Sequence, residues 1–180
     1  MVKADFWLAT SALLLAACGG SSGLSLDGGA GGSSGCNLAC LNNLASLVAT
    51  CQPSGTCTEQ LTSSTAATAC YSNGVKMSVS MTTSTSGAPS MAISVKNNSA
   101  ACYSMAMSET ASGDMTMTFK NASGTTVATL AAGSTTGNTV TCPGGSPSAI
   151  DSSCSTQAAS VSSFAGSSST TNCTQGTCAY

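Results

Sequence analysis

Apolar and polar residues alternate along the chain from Val75 onwards, with polar turns at 97–99 and 112–114. Alternation predicts half-buried strands, because successive side chains of a strand point to opposite faces of a sheet. The apolar positions are Val75, Met77, Val79, Met81, Met91, Ile93, Val95, Tyr103, Met105, Met107, Met115, Met117 and Phe119. Weaker strands are expected near 126–130 and 138–142. The short loops favour an antiparallel meander of five or six strands.

The segment before these strands has a helical period. Over residues 37–50, apolar side chains recur at spacings of three and four, which places them along one face of a helix. These positions are Cys36, Cys40, Leu41, Leu44, Leu47, Val48 and Cys51. The Gln-Pro-Ser-Gly run at 52–55 ends the helix. A second, weaker helix is expected over 58–70, with Thr58 as its N-cap and Glu59 in its first turn.

These patterns predict an α+β fold, in which an N-terminal helix or helical hairpin packs on an antiparallel β-meander. Within one small, disulfide-rich domain over 36–180, residues 36–71 are expected to be helical and 75–142 to form the sheet. Residues 143–180 are rich in Ser and Thr and carry few apolar side chains. They are expected to be loop-rich, because they bury too little apolar surface to order on their own.

The N-terminus has the parts of an export signal. Lys3 supplies positive charge, and residues 6–17 form an apolar stretch that falls short of the roughly 20 residues a membrane-spanning helix needs. The stretch leads into Leu15, Ala16, Ala17 and Cys18. This ending resembles the lipobox of bacterial lipoproteins, in which signal peptidase II cuts before a lipid-modified cysteine. The alternative is an ordinary secretory leader, which leaves Cys18 as a thiol or a disulfide partner.

The resemblance implies that residues 1–17 are removed and that Cys18 becomes the acylated first residue. Each buried methylene contributes about 0.8 kcal/mol, and more than one chain is needed for stable anchoring. Residues 18–35 are mostly Gly, Ser and Ala, so they are expected to form a flexible tether. Gly19, rather than aspartate, follows the cysteine, which by the enterobacterial sorting pattern implies delivery to the outer membrane, on its periplasmic or surface side. The domain that follows the tether, residues 36–180, does not resemble a known family.

Charge is sparse in the chain after the leader. Three lysines and five acidic residues remain, no arginine or histidine is present, and the net charge is −2. Nucleic-acid binding needs a basic footprint, so this composition excludes it as an expected function. Serine, threonine and asparagine supply the polar surface instead.

The cysteine count predicts a disulfide framework. Eleven cysteines are present, and removing Cys18 leaves an even number, as five bridges require. The ten are Cys36, Cys40, Cys51, Cys57, Cys70, Cys102, Cys142, Cys154, Cys173 and Cys178. If residues 36–71 form a helical hairpin, Cys51 pairs with Cys57 at its turn. Cys70 then reaches Cys36 or Cys40 at its open end.

Catalysis is not expected, and neither is a cofactor. Without histidine the chain has no imidazole general base and no Ser-His-Asp arrangement. A serine–lysine dyad is the formal alternative, but all three lysines alternate with apolar residues and so belong to the solvent face. These lysines are Lys76, Lys96 and Lys120. Carboxylate pairs are sparse as well, with Glu59, Glu109, Asp114 and Asp151 as the acids of the domain.

Methionine offers a second kind of chemistry. Met105 and Met107, and then Met115 and Met117, are expected on adjacent strands with their side chains on one face. Thioethers are soft ligands that suit Cu(I). Methionine also fills irregular space in cores, which any sheet requires. The sequence therefore predicts a lipid-anchored, non-enzymatic structural, adhesive or protein-binding module of the cell envelope, with methionine-based copper(I) binding as the alternative.

Overall fold

The computed structural model of the chain describes residues 36–84, 88–110, 112–133, 137–150, 154 and 173–178. In these ranges the chain is mostly β, with one helix and one sheet of ten strands. The leader, Cys18 and the tether over 18–35 lie outside the described residues.

The helix α1 is Leu38–Ala49. The strands are β1 Cys57–Ser63, β2 Ala66–Tyr71, β3 Val75–Thr83, β4 Pro89–Asn97, β5 Ala100–Glu109, β6 Met115–Asn121, β7 Thr126–Gly133, β8 Gly137–Thr141, β9 Ser148–Ala149 and β10 Thr174–Gln175.

The sheet is a meander over nine of its ten strands. Strands β1 to β9 are neighbours in chain order, and each pairs with the next in the antiparallel sense. The last strand, β10, joins the other edge by pairing in parallel with β1. Short hairpin connections make this order the expected one, because consecutive strands joined by tight turns pair with each other.

Alternation decides which side of each strand is buried. The apolar positions from Val75 to Phe119 face one side, here called the core face, and most of them are buried. The intervening serines, threonines, alanines and lysines lie on the opposite side, here called the outer face. The predicted strands of the 75–142 region are confirmed, including the weaker ones, which are β7 and β8.

Helix α1 begins where the sequence predicts. Asn37 caps it, and the Asn37 side-chain oxygen accepts a hydrogen bond of 3.1 Å from the backbone nitrogen of Cys40. Its buried side chains are Cys40, Leu41, Leu44 and Val48. They belong to the same cluster as the buried residues of the sheet, and the helix lies nearest to β7, with further contacts to β5 and β8.

The prediction of a second helix over 58–70 is wrong. These residues form β1 and β2, joined by a turn in which the Ser63 hydroxyl accepts a hydrogen bond of 3.2 Å from the backbone nitrogen of Thr65. The segment is rich in Thr and Ser, which are weak helix formers, and pairing with β3 satisfies its backbone groups. The helical region therefore ends near residue 50 instead of 71.

The meander is also longer than predicted. The expected five or six strands become nine, because β1 and β2 extend the meander on one side and the short β9 on the other, and β10, also from the tail over 143–180, adds a tenth strand to the sheet. The turn between β4 and β5 is formed by Asn98 and Ser99, which both have positive φ angles, 45° and 73°. Two successive residues with positive φ are typical of a tight hairpin turn.

All ten cysteines of the domain are paired in disulfide bonds, as predicted. The bridges are Cys36–Cys154, Cys40–Cys142, Cys51–Cys102, Cys57–Cys173 and Cys70–Cys178. Four of them join residues more than 100 positions apart, and the Cα–Cα distances lie between 4.7 and 6.3 Å. These distances fall within the usual range for disulfides.

The predicted local pairings of Cys51 and Cys70 are wrong. Cys51 is bonded to Cys102 on β5, and Cys70 is bonded to Cys178 in the C-terminal segment. The hypothesis required a helical hairpin that brings residue 70 back to the start of α1. Because 57–71 forms strands of the sheet instead, Cys70 lies on β2 and meets the chain that crosses beside β1.

Candidate functional site

The three lysines of the domain lie on the outer face of the sheet, as the alternation predicts. Lys96 on β4 and Lys120 on β6 are exposed, and Lys76 on β3 is partly buried. Lys76 and Lys96 are directly opposite each other in the β3–β4 register. A serine–lysine dyad needs a lysine that burial or neighbouring charge makes a base, and Lys96 and Lys120 lie in exposed positions instead.

The acidic residues that the structure describes do not gather into one cluster, although Glu109 and Asp114 flank the same turn between β5 and β6. Glu59 is buried on β1, whereas Glu109 ends β5, four strands away in the sheet. Neighbouring strands lie about 4.8 Å apart. Four such spacings separate Glu59 from Glu109 by more than the roughly 5–9.5 Å between the two carboxyl groups of a glycoside hydrolase. Asp114, in the turn after β5, accepts a hydrogen bond of 2.8 Å from the Ser112 hydroxyl. Asp151 lies outside the described residues.

Two tyrosines are buried in the core face. Tyr71 and Tyr103 are only 5% and 3% exposed. Burial raises the pKa of both phenols above their usual value, and the charge of Glu59 raises the pKa of Tyr71 further. A phenol is neutral at physiological pH even without this shift, and both side chains are packed as core residues.

The common metal-binding side chains are not gathered into a site in the part of the chain that the structure describes. Within the described ranges, no group of three His, Cys, Asp or Glu side chains is placed to hold a metal ion. The cysteines there are all held in disulfides, which removes them as thiolate ligands. Thioether sulfur is the soft donor that remains.

The outer face carries a row of hydroxyl groups across neighbouring strands. One residue from each strand from β2 to β6 lies directly opposite its neighbour on the next strand, and in strand order these are Thr68, Ser78, Ser94, Ser104 and Lys120. The Thr68 and Ser78 hydroxyls are 3.1 Å apart and share a hydrogen bond. This row, with small alanines beside it, lines a shallow groove of about 340 Å³.

Charge is divided between the two faces of the sheet. All lysines of the domain lie on the outer face. They lie at one end of the sheet, close to the turns at 72–74, 98–99 and 122–124. Among the described acids, Glu59 and Glu109 occupy positions in register with the core face, and Asp114 lies in the turn at the other end. The outer face therefore offers only positive side-chain charge within the described ranges.

The methionines converge more closely than the sequence predicts. Met107 and Met117 are directly opposite each other on β5 and β6, so the predicted adjacent strands and shared face are confirmed. The structure extends this row to Met91 on β4 and Met81 on β3, which are also directly opposed. The sequence shows that these methionines alternate with polar residues. It does not show which of them lie opposite each other, because that depends on the register of each hairpin.

Met105, the fourth of the predicted methionines, has a different neighbour. It is opposite Phe119 and belongs to the next row of the core face. Met107, Met115 and Met117 instead line a small void of about 10 Å³, which Leu130 and Ile150 help to enclose. The structure thus brings three of the four predicted methionines together.

No helix among the described residues has both the length and the apolar character to cross a membrane. The lipobox residues Leu15, Ala16 and Ala17, together with Cys18, lie outside the described residues.

Comparison of the chain with models of protein families, with curated proteins and with solved structures finds no match.

Proposed function

We propose that the protein is a lipid-anchored, non-enzymatic binding module of the bacterial cell envelope, held through Cys18 to the outer membrane. The observation that carries this proposal is the complete pairing of the ten domain cysteines. A framework of this density is typical of proteins that fold in an oxidising compartment outside the cytosol. It supports export of the chain by the leader at 1–17.

The pairing also bears on Cys18 itself. In a chain of eleven cysteines, five intramolecular bridges use ten and leave one. An unpaired cysteine in an exported protein is a reactive liability. Acylation would consume the sulfur of Cys18 as a thioether, and the lipobox ending at Ala17 places this cysteine where signal peptidase II acts. The parity of the bridges thus supports the lipoprotein interpretation.

In this proposal the domain is a disulfide-stapled α+β unit whose helix packs on the core face near β5, β7 and β8 and whose outer face is the binding surface. The outer face presents a groove of hydroxyl groups together with Lys96 and Lys120. Since no described acidic side chain lies there, charge complementarity favours an acidic surface of another envelope protein as the partner. The tether over 18–35 would let the domain turn toward it.

A Cys18→Ser substitution tests the anchor. We expect the wild-type chain to carry the mass of a diacylglycerol and an N-acyl group on a polypeptide that begins at Cys18. The Cys18→Ser chain should retain residues 1–17 and carry no acyl mass, because signal peptidase II requires the cysteine. Intact mass spectrometry of protein from the native envelope measures both, and at least about tenfold less processed product is expected from the variant.

Ala17→Ser is the matched control, since a small residue before the cleavage site is retained and processing should proceed. Normal removal of the leader from the Cys18→Ser chain, without acylation of the wild type, would contradict the proposal. That result would indicate an ordinary secretory leader instead.

Site-specific photo-crosslinking tests the binding surface. A photoreactive amino acid at Ser94, between the lysines, should give a discrete crosslinked protein in the native envelope. The yield should fall about tenfold in Lys120→Glu, because charge reversal opposes an acidic partner at short range. The matched control places the same probe at Thr139 on β8, away from the lysines. Thr139 is on the same outer face by register, so equal labelling from Ser94 and Thr139, or labelling that Lys120→Glu leaves unchanged, would exclude the groove beside the lysines as the binding site.

A further inference from the structure

The core face of β3 to β6 contains more methionine than packing requires. All seven methionines after Met1 occupy it: Met77, Met81, Met91, Met105, Met107, Met115 and Met117. Strands favour β-branched and aromatic side chains. A buried methionine also loses more rotamer entropy than Leu or Ile does. A core that needed only volume would be built at lower cost from Val and Ile, which this sheet uses at the neighbouring positions.

Three of these methionines surround one void. Met107 stands directly opposite Met117, and Met115 precedes Met117 by two residues on the same face of β6. The void is about 10 Å³, close to the smallest volume that holds a single water molecule. A water there needs two to four polar partners. The side chains around it are those of methionine, leucine, alanine and isoleucine, so water is a poor occupant.

We propose that Met107, Met115 and Met117 form a binding site for one Cu(I) ion, coordinated by three thioether sulfurs. Thioethers are soft donors that prefer a soft, monovalent cation over Mg²⁺, Ca²⁺ or Mn²⁺. Thiolates would outcompete them for copper, but the ten domain cysteines are held in disulfides. The chain contains no histidine to compete either. The inference does not depend on lipidation of Cys18.

The surroundings also offer a counter-charge. Glu109 is directly opposite Met115 in the β5–β6 register, which places the two Cβ atoms about 5 Å apart. A cation buried in an apolar site without a compensating charge is costly. Glu109 is not itself among the residues that line the void, but both it and Met115, which does line it, are partly exposed. We therefore expect the ion to enter on this side of the void, with Glu109 as the nearest acidic residue by register to balance its charge.

The test is a titration of the full-length acylated protein in detergent with Cu(I), in competition with a chromogenic chelator. Ascorbate keeps the copper reduced and leaves the disulfides intact. We expect one ion per chain. Met117→Ile should lower the affinity at least about tenfold, because one of three ligands is lost while side-chain volume is nearly kept. Met77→Ile, on the same face but away from the void, should leave the affinity unchanged. Glu109→Gln should lower it by a smaller factor.

Binding that is equal in wild type, Met117→Ile and Met77→Ile would overturn the proposal, as would no binding in competition with the chelator. A second measurement does not rely on variants. With methionine labelled by ¹³C at its methyl group, one equivalent of Ag(I) should shift the resonances of Met107, Met115 and Met117. Those of Met77 and Met105 should stay in place. Shifts spread over all seven methionines, or confined to Met81, would contradict a single site at this void.

Discussion

Removing the two bridges at the start of helix α1 lowers the free energy of unfolding by about 7 kcal/mol, whereas removing Cys40–Cys142 alone costs only about 3 kcal/mol. The bridges Cys36–Cys154 and Cys40–Cys142 are neighbours at both ends. While the first is intact, the second closes a loop of about 16 residues, made of four from Cys36 to Cys40 and twelve from Cys142 to Cys154. A loop of this length corresponds to about 3 kcal/mol of unfolded-state entropy.

Loss of both bridges opens a longer loop. The shortest remaining path between residues 36 and 154 then runs through Cys57–Cys173, over about 40 residues. Closing such a loop is worth about 4 kcal/mol more on the same relation. The combined loss is comparable to the whole stability of a typical domain, about 5–15 kcal/mol. We therefore expect the chain without both bridges to be largely unfolded at 37 °C.

Urea denaturation of three proteins measures this difference: the wild type, Cys40→Ala/Cys142→Ala, and the variant with all four cysteines replaced by alanine. The variant Cys51→Ala/Cys102→Ala is the control for a single bridge, because α1 then keeps both bridges at its start. A four-cysteine variant no less stable than Cys40→Ala/Cys142→Ala would show that Cys36–Cys154 contributes nothing to stability.

These bridges also mark the limit of what the sequence predicts. The even number of domain cysteines follows from counting, and the pairing does not, because four of the five bridges join residues more than 100 positions apart. Their partners depend on the order of strands around the whole sheet. The incorrect prediction of a helix over 58–70 led to the wrong partner for Cys70, because this cysteine lies on β2 and not at the end of a helix.

Strands β3 to β6, which the sequence predicts most clearly, have long apolar side chains in alternation. In β2 two of the three core-face positions, ahead of Tyr71, are Ala67 and Ala69, which are 1% and 0% exposed. Alanine carries little hydrophobic signal, and it favours helix in isolation. These alanines are buried in β2 between β1 and β3, and this tertiary effect cannot be read from the local sequence. The hydroxyl row of the outer face and the void between the methionines could not be predicted for a similar reason, since both depend on the register between strands.

The single substitution Leu44→Ala is expected to lower the free energy of unfolding by about 4 kcal/mol, near the upper part of the range for a buried leucine. Leu44 is fully buried in the middle of α1. The cost of such a cavity depends on how far the surroundings collapse into it. On either side of Leu44, the bridge at Cys40 attaches the helix to Cys142, directly after β8, and the bridge at Cys51, two residues beyond the helix, attaches it to β5. The helix therefore has little freedom to shift toward the sheet and fill the cavity.

Leu38→Ala is the matched control in the same helix. Leu38 is 42% exposed, so its replacement should change stability by no more than about 0.5 kcal/mol. Urea midpoints at constant m-value measure both variants. A further comparison tests the reason for the large effect. In the Cys51→Ala/Cys102→Ala background the C-terminal end of α1 is no longer held, so Leu44→Ala should cost less than in the wild type, by about 1 kcal/mol. An unchanged cost would mean that packing of the helix on the sheet, and not the bridges, limits its movement.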